Sequence, residues 1–379
     1  MREVAIVGVG IHKFGRFAEE DYVQLAQKPV LDALKDAGMD WKEVQTAFAG
    51  TVFCGSSAGL RVLAEVGYTG IPIVDVENAC ASGGSAFRLA YQAVAYGIYD
   101  VALALGFDKT PRGFIVSPRY QDWERRMGLA ANPIHFAMLA RKQMEKYGMT
   151  AEQLGRVSVK NHKNGALNPN AMYQKKMSFE EIMNSQMVCD PLRLLMLCAP
   201  NDGAVAVILC SKEKALKYTR NPITIAATVL KSPLFNTERF EGVCQSTRIE
   251  NPQPTVTAAK EVYEAAGLGP KDLSFVELQD HEAAAEIIFS EQLGLCGKGE
   301  GGRLVDEGIS EIGGRLPINV SGGLLSKGEP LGASALGQIH ELVMQLRGSA
   351  GPRQVAGAKV GLAHVVGAGG NCSISILKR

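Results

Sequence analysis

Short apolar runs rich in Val and Ile recur along the chain: Val4–Gly10, Val101–Asp108, Ala204–Cys210, Ile223–Leu230, Phe275–Asp280 and Val360–Gly367. They show little apolar/polar alternation, which predicts strands buried on both faces. Between them, apolar residues return at helical spacing, as in Phe87, Ala90, Tyr91 and Val94, and in Leu336, Ile339, Val343 and Leu346. Strands alternating with amphipathic helices predict α/β layers.

The pattern repeats. Leu34–Val44 (LKDAGMDWKEV) resembles Tyr263–Leu273 (YEAAGLGPKDL): each reads as a helix ended by glycine, a turn, and an apolar residue leading into a strand. Gly83–Ala86 and Gly332–Ala335 each open a helix, and Val101–Phe107 is echoed by Val360–Val366. Three matched units in one order predict a duplication, with halves at 1–217 and 218–379. Residues 110–184 break the rhythm with Pro111, Pro118, Pro133 and Pro169, a helical stretch Phe136–Tyr147 and a charged cluster from Arg119 to Arg126. This stretch reads as an insertion over one half, a lid or substrate-shaping subdomain. The segment Asn236–Pro254 reads as a connecting loop.

Composition narrows the function classes. With 379 residues, 46% apolar and 42 glycines, the chain is long enough for two or three packed domains. Forty basic residues against 39 acidic ones, with no basic block, argue against nucleic acid and anionic membrane as partners. Met1–Val4 runs into a strand without an apolar h-region, and no apolar run reaches the roughly 18 residues of a membrane span, so a cytoplasmic protein is expected. Eight scattered cysteines without a CxxC pair predict neither a structural zinc site nor a disulfide framework.

One cysteine stands apart. In Glu77-Asn-Ala-Cys80-Ala-Ser-Gly-Gly84 a buried strand (Ile71–Val76) meets a turn of small residues, and a helix starts just after the sulfur. Helix N–H groups aimed at Cys80 would lower its thiol pKa and favour the thiolate. An ordinary buried thiol fits the same residues.

Glu77–Gly84 resembles the nucleophile motif of the thiolase superfamily, in particular its sterol-carrier-protein-x-like branch. Cys198-Ala-Pro-Asn-Asp202-Gly-Ala-Val-Ala resembles the family's "C.P.sDGAAA" segment, Asn319–Ser334 its "NpsGGl.akGHPlGatG" segment, and His364–Gly370 its "HNlGlGG" loop. The resemblance spans nearly the whole chain. It implies two duplicated βαβαβαββ halves packed as a five-layer α-β-α-β-α sandwich with an inserted loop domain, usually a dimer. It also implies acyl transfer through a thioester on Cys80 with coenzyme A as co-substrate, and no cofactor or metal bound by this chain.

Departures from the family pattern bear on mechanism. His281, in Leu278-Gln-Asp-His281, stands where this branch has "HDCF", and implies a binder of a water or thioester oxygen; the cysteine that usually follows two residues later is Ala283. Glu329 replaces the "GHP" histidine. A carboxylate there can accept a proton, yet as an anion it repels an oxyanion or enolate; it can also orient a neighbouring histidine or bind local N–H groups. His364 stands where degradative thiolases carry their acid/base cysteine, and an imidazole can deprotonate Cys80 and shuttle the α-carbon proton. Cys372 reads as packing, His162 as either a residue near the coenzyme A site or a solvated helix end, and His12, His135 and His340 as structural.

The expected activity is cleavage of a 3-oxoacyl-CoA by coenzyme A through acyl-Cys80, the catalytic set being Cys80, His281, Glu329 and His364. The Glu-for-His change also resembles a branch acting on an aromatic substrate such as 2-benzoylsuccinyl-CoA, and another of retro-aldolases cleaving β-hydroxyacyl-CoA side chains, as in steroid breakdown. Both imply a hetero-oligomer: a homodimer core with a small OB-fold and zinc-ribbon partner subunit that carries any zinc. Arg112, Arg119, Arg125 and Arg126 are candidates for a substrate carboxylate or the coenzyme phosphates, with plain surface solvation as the alternative.

Overall fold

The computed structural model describes residues 1–113, 115, 120–234 and 253–379. Arg119 and nearly all of the Asn236–Pro254 stretch lie outside the described residues. Among the described residues there are eleven strands: β1 (Val4–Gly15), β2 (Thr46–Gly50), β3 (Ile73–Val76), β4 (Val101–Lys109), β5 (Met187–Cys189), β6 (Leu192–Arg193), β7 (Asp202–Ser211), β8 (Ile223–Lys231), β9 (Phe275–Leu278), β10 (Val360–Val366) and β11 (Cys372–Lys378). Nine form one sheet in the order β3-β2-β4-β7-β1-β8-β11-β10-β9, and β5 and β6 form a separate ribbon.

The join at the middle of that sheet is thin. β1 meets β8 only through Ala5 opposite Thr224 and Ile6 opposite Ile223. On either side the strand orders mirror each other. β2 is parallel to β4, which is antiparallel to β7, which is antiparallel to β1. Likewise β9 is parallel to β10, which is antiparallel to β11, which is antiparallel to β8. Outside β2 lies β3, and outside β9 a parallel bridge joins Val276 to Ile318. The internal resemblance read along the chain is thus matched by strand order and direction.

Each array is covered on both faces, which is why its strands read as unbroken apolar runs. Along β4, Ala102 and Ala104 face one core, while Val101, Leu103 and Leu105 face another. The first core is the middle layer: Phe87, Ala90 and Val94 from helix Ser82–Ala95 meet Leu336, Ile339 and Val343 from helix Ser334–Arg347, with both arrays around them. Helices Tyr22–Ala37 and Ala58–Ala64 cover the outer face of the first array. Helices Pro254–Ala266 and Ala283–Gln292 cover the second. Five layers result.

The expected buried strand at Ile71–Val76 is corrected. Among the described residues β3 is an edge strand bonded only to β2, and its Val74 is 43% exposed. The inserted stretch contributes helices Asn132–Tyr147 and Ala151–Gly165, which pack with Met196 and Leu325 against Ile287 and Ile288 of the second half.

The starts of the two central helices touch through backbone. A Cβ on Gly83 would lie 2.6 Å from the Gly332 carbonyl oxygen, and one on Gly332 would lie 2.7 Å from that of Gly50. The Gly332 N–H donates to buried Asp108 (2.6 Å), whose carboxylate also accepts from the N–H groups of Val52 and Phe53. This contact brings the Cys80 turn and the Glu329 loop together.

Candidate active site

The Cys80 turn is built from strained backbone held by several bonds. Ala79 has φ of +50°, a left-handed conformation that costs a non-glycine residue about 1–3 kcal/mol. Its N–H donates to Glu77 Oε1 (2.7 Å), and its carbonyl accepts from Ser82 Oγ (2.6 Å). From the other half, Asn371 Nδ2 donates to Asn78 Oδ1 (2.8 Å), and Gly367 lies so close that a Cβ there would sit 2.1 Å from the Asn78 carbonyl oxygen. The turn therefore presents Cys80 in one orientation at the start of helix Ser82–Ala95.

Cys80 opens onto a cavity of about 640 Å³. Cys198, His281 and Glu329 share it, with aromatic and aliphatic walls that include Phe136, Leu139, Ile288 and Phe289. The buried Glu329 carboxylate is the hub. Oε2 accepts from Cys198 Sγ (2.9 Å), Oε1 accepts from Gln279 Nε2 (3.3 Å), and the same carboxylate bears electrostatically on the neighbouring Cys80 thiol. Gln279 is itself fixed, its Oε1 accepting the Val366 N–H (2.5 Å).

Electrostatics correct the expectation of a resting thiolate. Burial, and next the facing Glu329 charge, push the Cys80 thiol well above its ordinary range. A helix end supplies about 0.3–1 kcal/mol, less than one pKa unit, whereas full burial can shift a group by about 3–5 units. Burial wins, and Cys80 rests as a thiol beside a carboxylate. Burial raises Glu329 above the usual carboxylate range, and its polar neighbours Cys198, Cys80 and Gln279 oppose that shift.

The two histidines part company. His281 lines the cavity, its ring 4.3 Å from that of Phe136, and burial depresses it to about 4, so the imidazole is neutral. His364 is fully buried and does not line the cavity. Its Nε2 lies 2.9 Å from Thr255 Oγ1, and its ring packs edge-on against Phe289 at 4.7 Å. Along β10 it shares a face with Leu362 and Val366, turned to the outer helices. The structure brings Cys80, His281 and Glu329 together and leaves His364 behind Phe289.

Other expected residues divide similarly. His162 is no solvated helix end: it is 1% exposed, lines the cavity, and burial depresses it to about 4. His135, read as structural, also lines the wall, stacked on Tyr120 at 5.3 Å. His12 and His340 stay outside it, as does Cys372, buried in β11. Arg112 reaches the cavity; Arg125 and Arg126 do not. Among the described residues no group of His, Cys, Asp and Glu is arranged to hold a metal, and no helix is long and apolar enough to cross a membrane.

Glu282, also on the cavity wall, was not foreseen. Its side chain caps helix Ala283–Gln292 by accepting the Ala284 N–H (2.5 Å), and burial lifts its pKa to about 8. A raised folded-state pKa means the folded protein holds this proton more tightly than the unfolded chain does. The associated stability is full below the ordinary value of 4.5 and is lost as pH rises towards about 8. Glu282→Gln keeps the accepting oxygen without the charge. Denaturant titrations should show equal stability at pH 5 and a more stable variant at pH 8; equal curves at both pH values would contradict an ionising buried group.

Sequence reasoning also missed Cys198 and Gln279 as members of the site. Both stood inside the quoted motifs, one residue ahead of Ala-Pro-Asn-Asp202 and two ahead of His281, but nothing in their spacing announced a shared carboxylate.

Comparisons with known proteins bear on the chain as a whole. Residues 4–213 match the thiolase N-terminal domain family and residues 241–379 the thiolase C-terminal domain-like family. An acetyl-CoA acetyltransferase from Methanothermobacter thermautotrophicus is 40% identical, covering 100% of both chains. Sterol carrier protein 2 from Bos taurus is 38% identical over 99% of this chain and 72% of its own. The benzoylsuccinyl-CoA thiolase subunit BbsB from Thauera aromatica is 37% identical over 97% of this chain and 95% of its own. Among solved structures, the Ltp2-ChsH2(DUF35) aldolase superposes with a TM-score of 0.87 at 28% identity, covering 99% of this chain and 97% of that one. With two family domains matched in order across most of its length, the chain belongs to the thiolase family of acyltransferases.

Proposed function

We propose that the protein cleaves a 3-oxoacyl-CoA by thiolysis, with Cys80 as nucleophile and Glu329 as its general base. The observation carrying this is the Cys80 thiol and the buried Glu329 carboxylate facing one cavity that also holds a neutral His281. Glu329 takes the thiol proton, and the sulfur adds to the 3-oxo carbon while the neutral imidazole of His281 is available to donate to an oxygen of the substrate. The bond between C2 and C3 breaks, leaving an acyl-Cys80 thioester and the enolate of the shorter acyl-CoA. At that moment Glu329 is neutral, so the repulsion expected of a carboxylate does not arise. The proton taken from Cys80 is then spent on the enolate, which leaves as acyl-CoA, and Glu329, again a carboxylate, deprotonates coenzyme A, which takes the acyl group from sulfur.

The aromatic and aliphatic walls at Phe136, Leu139, Ile288 and Phe289, together with the similarity to BbsB, support an aromatic substrate such as 2-benzoylsuccinyl-CoA. The same similarity, and that to the Ltp2-ChsH2(DUF35) aldolase, supports a small partner subunit of the OB-fold and zinc-ribbon type, which would carry any zinc. The open edge of β3 supports a homodimer core. We assign the functional halves to 1–217 and 218–379. The two thiols on one cavity support a cytoplasmic location, where a reducing environment keeps them as thiols.

A second reading, a retro-aldolase for β-hydroxyacyl-CoA, is favoured by the 28% identity to that aldolase. There Glu329 would deprotonate the substrate hydroxyl and no acyl-cysteine would form. Mass spectrometry of the Cys80 peptide after brief exposure to 3-oxoacyl-CoA separates the two. Thiolysis predicts an acyl adduct on Cys80 that coenzyme A discharges; no adduct from the 3-oxoacyl-CoA, together with cleavage of a β-hydroxyacyl-CoA to a carbonyl compound and an acyl-CoA, selects the aldolase.

A further inference from the structure

We propose that Cys198 is the second proton carrier of this reaction: its thiol protonates the α-carbon of the departing enolate and is then reprotonated by Glu329. The proposal rests on the thiolysis reading above.

Cys198 is placed by backbone bonds to both neighbouring site segments. Its N–H donates to the His281 carbonyl (3.0 Å), and Leu197 bridges Glu282. On its other side the Glu329 N–H donates to the Ala199 carbonyl (3.2 Å), the Asn201 N–H donates to the Glu329 carbonyl (3.3 Å), and Pro200 bridges Glu329. The short segment 197–201 is thus stitched between the His281 and Glu329 loops, with its thiol on the cavity wall and 2.9 Å from the carboxylate. Two thiols share one base, and only one is consumed as nucleophile. A thiol that served packing alone has no need of such a seat.

The proton balance closes without any added reagent. Cys80 gives its proton to Glu329 and its sulfur bonds to the 3-oxo carbon. The C2–C3 electron pair goes to the acyl-CoA fragment as an enolate. C2 takes the proton of Cys198, and the resulting thiolate takes the proton held on Glu329. The proton that left Cys80 is replaced on carbon by an equivalent one, and Glu329 returns to the carboxylate needed for the coenzyme A thiol. Burial and the adjacent carboxylate hold Cys198 well above its ordinary range, so at rest it carries the proton it must deliver.

The test uses the full chain and its Cys198→Ala variant, with acetyl-CoA and succinyl-CoA as probes. Two half-reactions are followed: acyl transfer to Cys80 by mass spectrometry, and deuterium uptake from D2O at the probe's α-carbon. Acyl transfer from a thioester needs no α-carbon proton, so C198A should still load Cys80 within about tenfold of wild type. Its α-exchange should fall by roughly 10²–10⁴-fold, the range for loss of a positioned acid. Should the alanine variant unfold, Cys198→Ser carries the same test, since it keeps a donor to Glu329 with a hydroxyl too weakly acidic for the step. Exchange within threefold of wild type in a variant that still loads Cys80 overturns the proposal and assigns the proton to Glu329 directly. No acyl group on wild-type Cys80 from either probe overturns the thiolysis reading, and the proposal with it.

Discussion

Cys80→Ala should abolish thiolysis, lowering kcat/KM on the order of 10⁴-fold or more, as expected when the nucleophile of a covalent mechanism is removed. The fold should survive, because the side chain is small and the turn is held by backbone and neighbouring groups: Ala79 to Glu77, Ser82 to Ala79, and Asn371 to Asn78. Circular dichroism and thermal unfolding check that point. The same variant also separates the two chemistries. Carbon–carbon cleavage of a β-hydroxyacyl-CoA needs a base but no acyl-sulfur bond, so an aldolase should retain most of its rate in C80A. Release of acyl-CoA products from a 3-oxoacyl-CoA by C80A at anything near the wild-type rate would show that Cys80 is not the nucleophile.

How much of this was legible in the chain depends on what each residue's role needs. The strands were legible because both faces of each array are covered, so β4 and β7 carry unbroken apolar runs at Val101–Leu105 and Ala204–Cys210. The duplication was legible because helix, glycine and strand recur in order, and the mirrored strand orders agree with it. β3 was misread as buried because its sequence, IVDV, resembles a short interior strand, whereas among the described residues it pairs with β2 alone. Cys80 could be found from its small neighbours and the helix that follows. Its protonation state could not, since that depends on a carboxylate 249 residues further along the chain that only folding brings near. His364 misled for a related reason. Its glycine-rich neighbours suggested an open loop, but strand parity puts it with Leu362 and Val366 on the outer face, against Thr255 and Phe289. A shift of one position along β10 would have turned it inward.

Glu329→Gln is the sharper test of the mechanism, because it alters charge and basicity while keeping size and an accepting oxygen. Loss of the general base should cut kcat by roughly 10²–10⁴-fold. The sign of the pH dependence follows from the direction of the Glu329 shift. Only the carboxylate can take the Cys80 proton, and burial raises its pKa. Wild-type activity should therefore fall as pH drops through a value above 4.5, and that acidic limb should vanish in the variant. Stability should move the other way: a carboxyl whose folded-state pKa is raised stabilises the fold when protonated and loses that contribution as pH rises, so the neutral amide should be the more stable at pH 8. The nucleophile gives a third readout. The Glu329 charge is one of the causes holding the Cys80 pKa up, so its removal should bring the thiol to a lower pKa. Alkylation of Cys80 by iodoacetamide, followed against pH, should shift to lower pH in the variant even as turnover collapses. A variant that is merely misfolded cannot produce a more acidic thiol, a more stable fold and a slower reaction together. If the alkylation profile stays where it is in the wild type, Glu329 and Cys80 are not coupled, and the base must be sought elsewhere on the cavity wall.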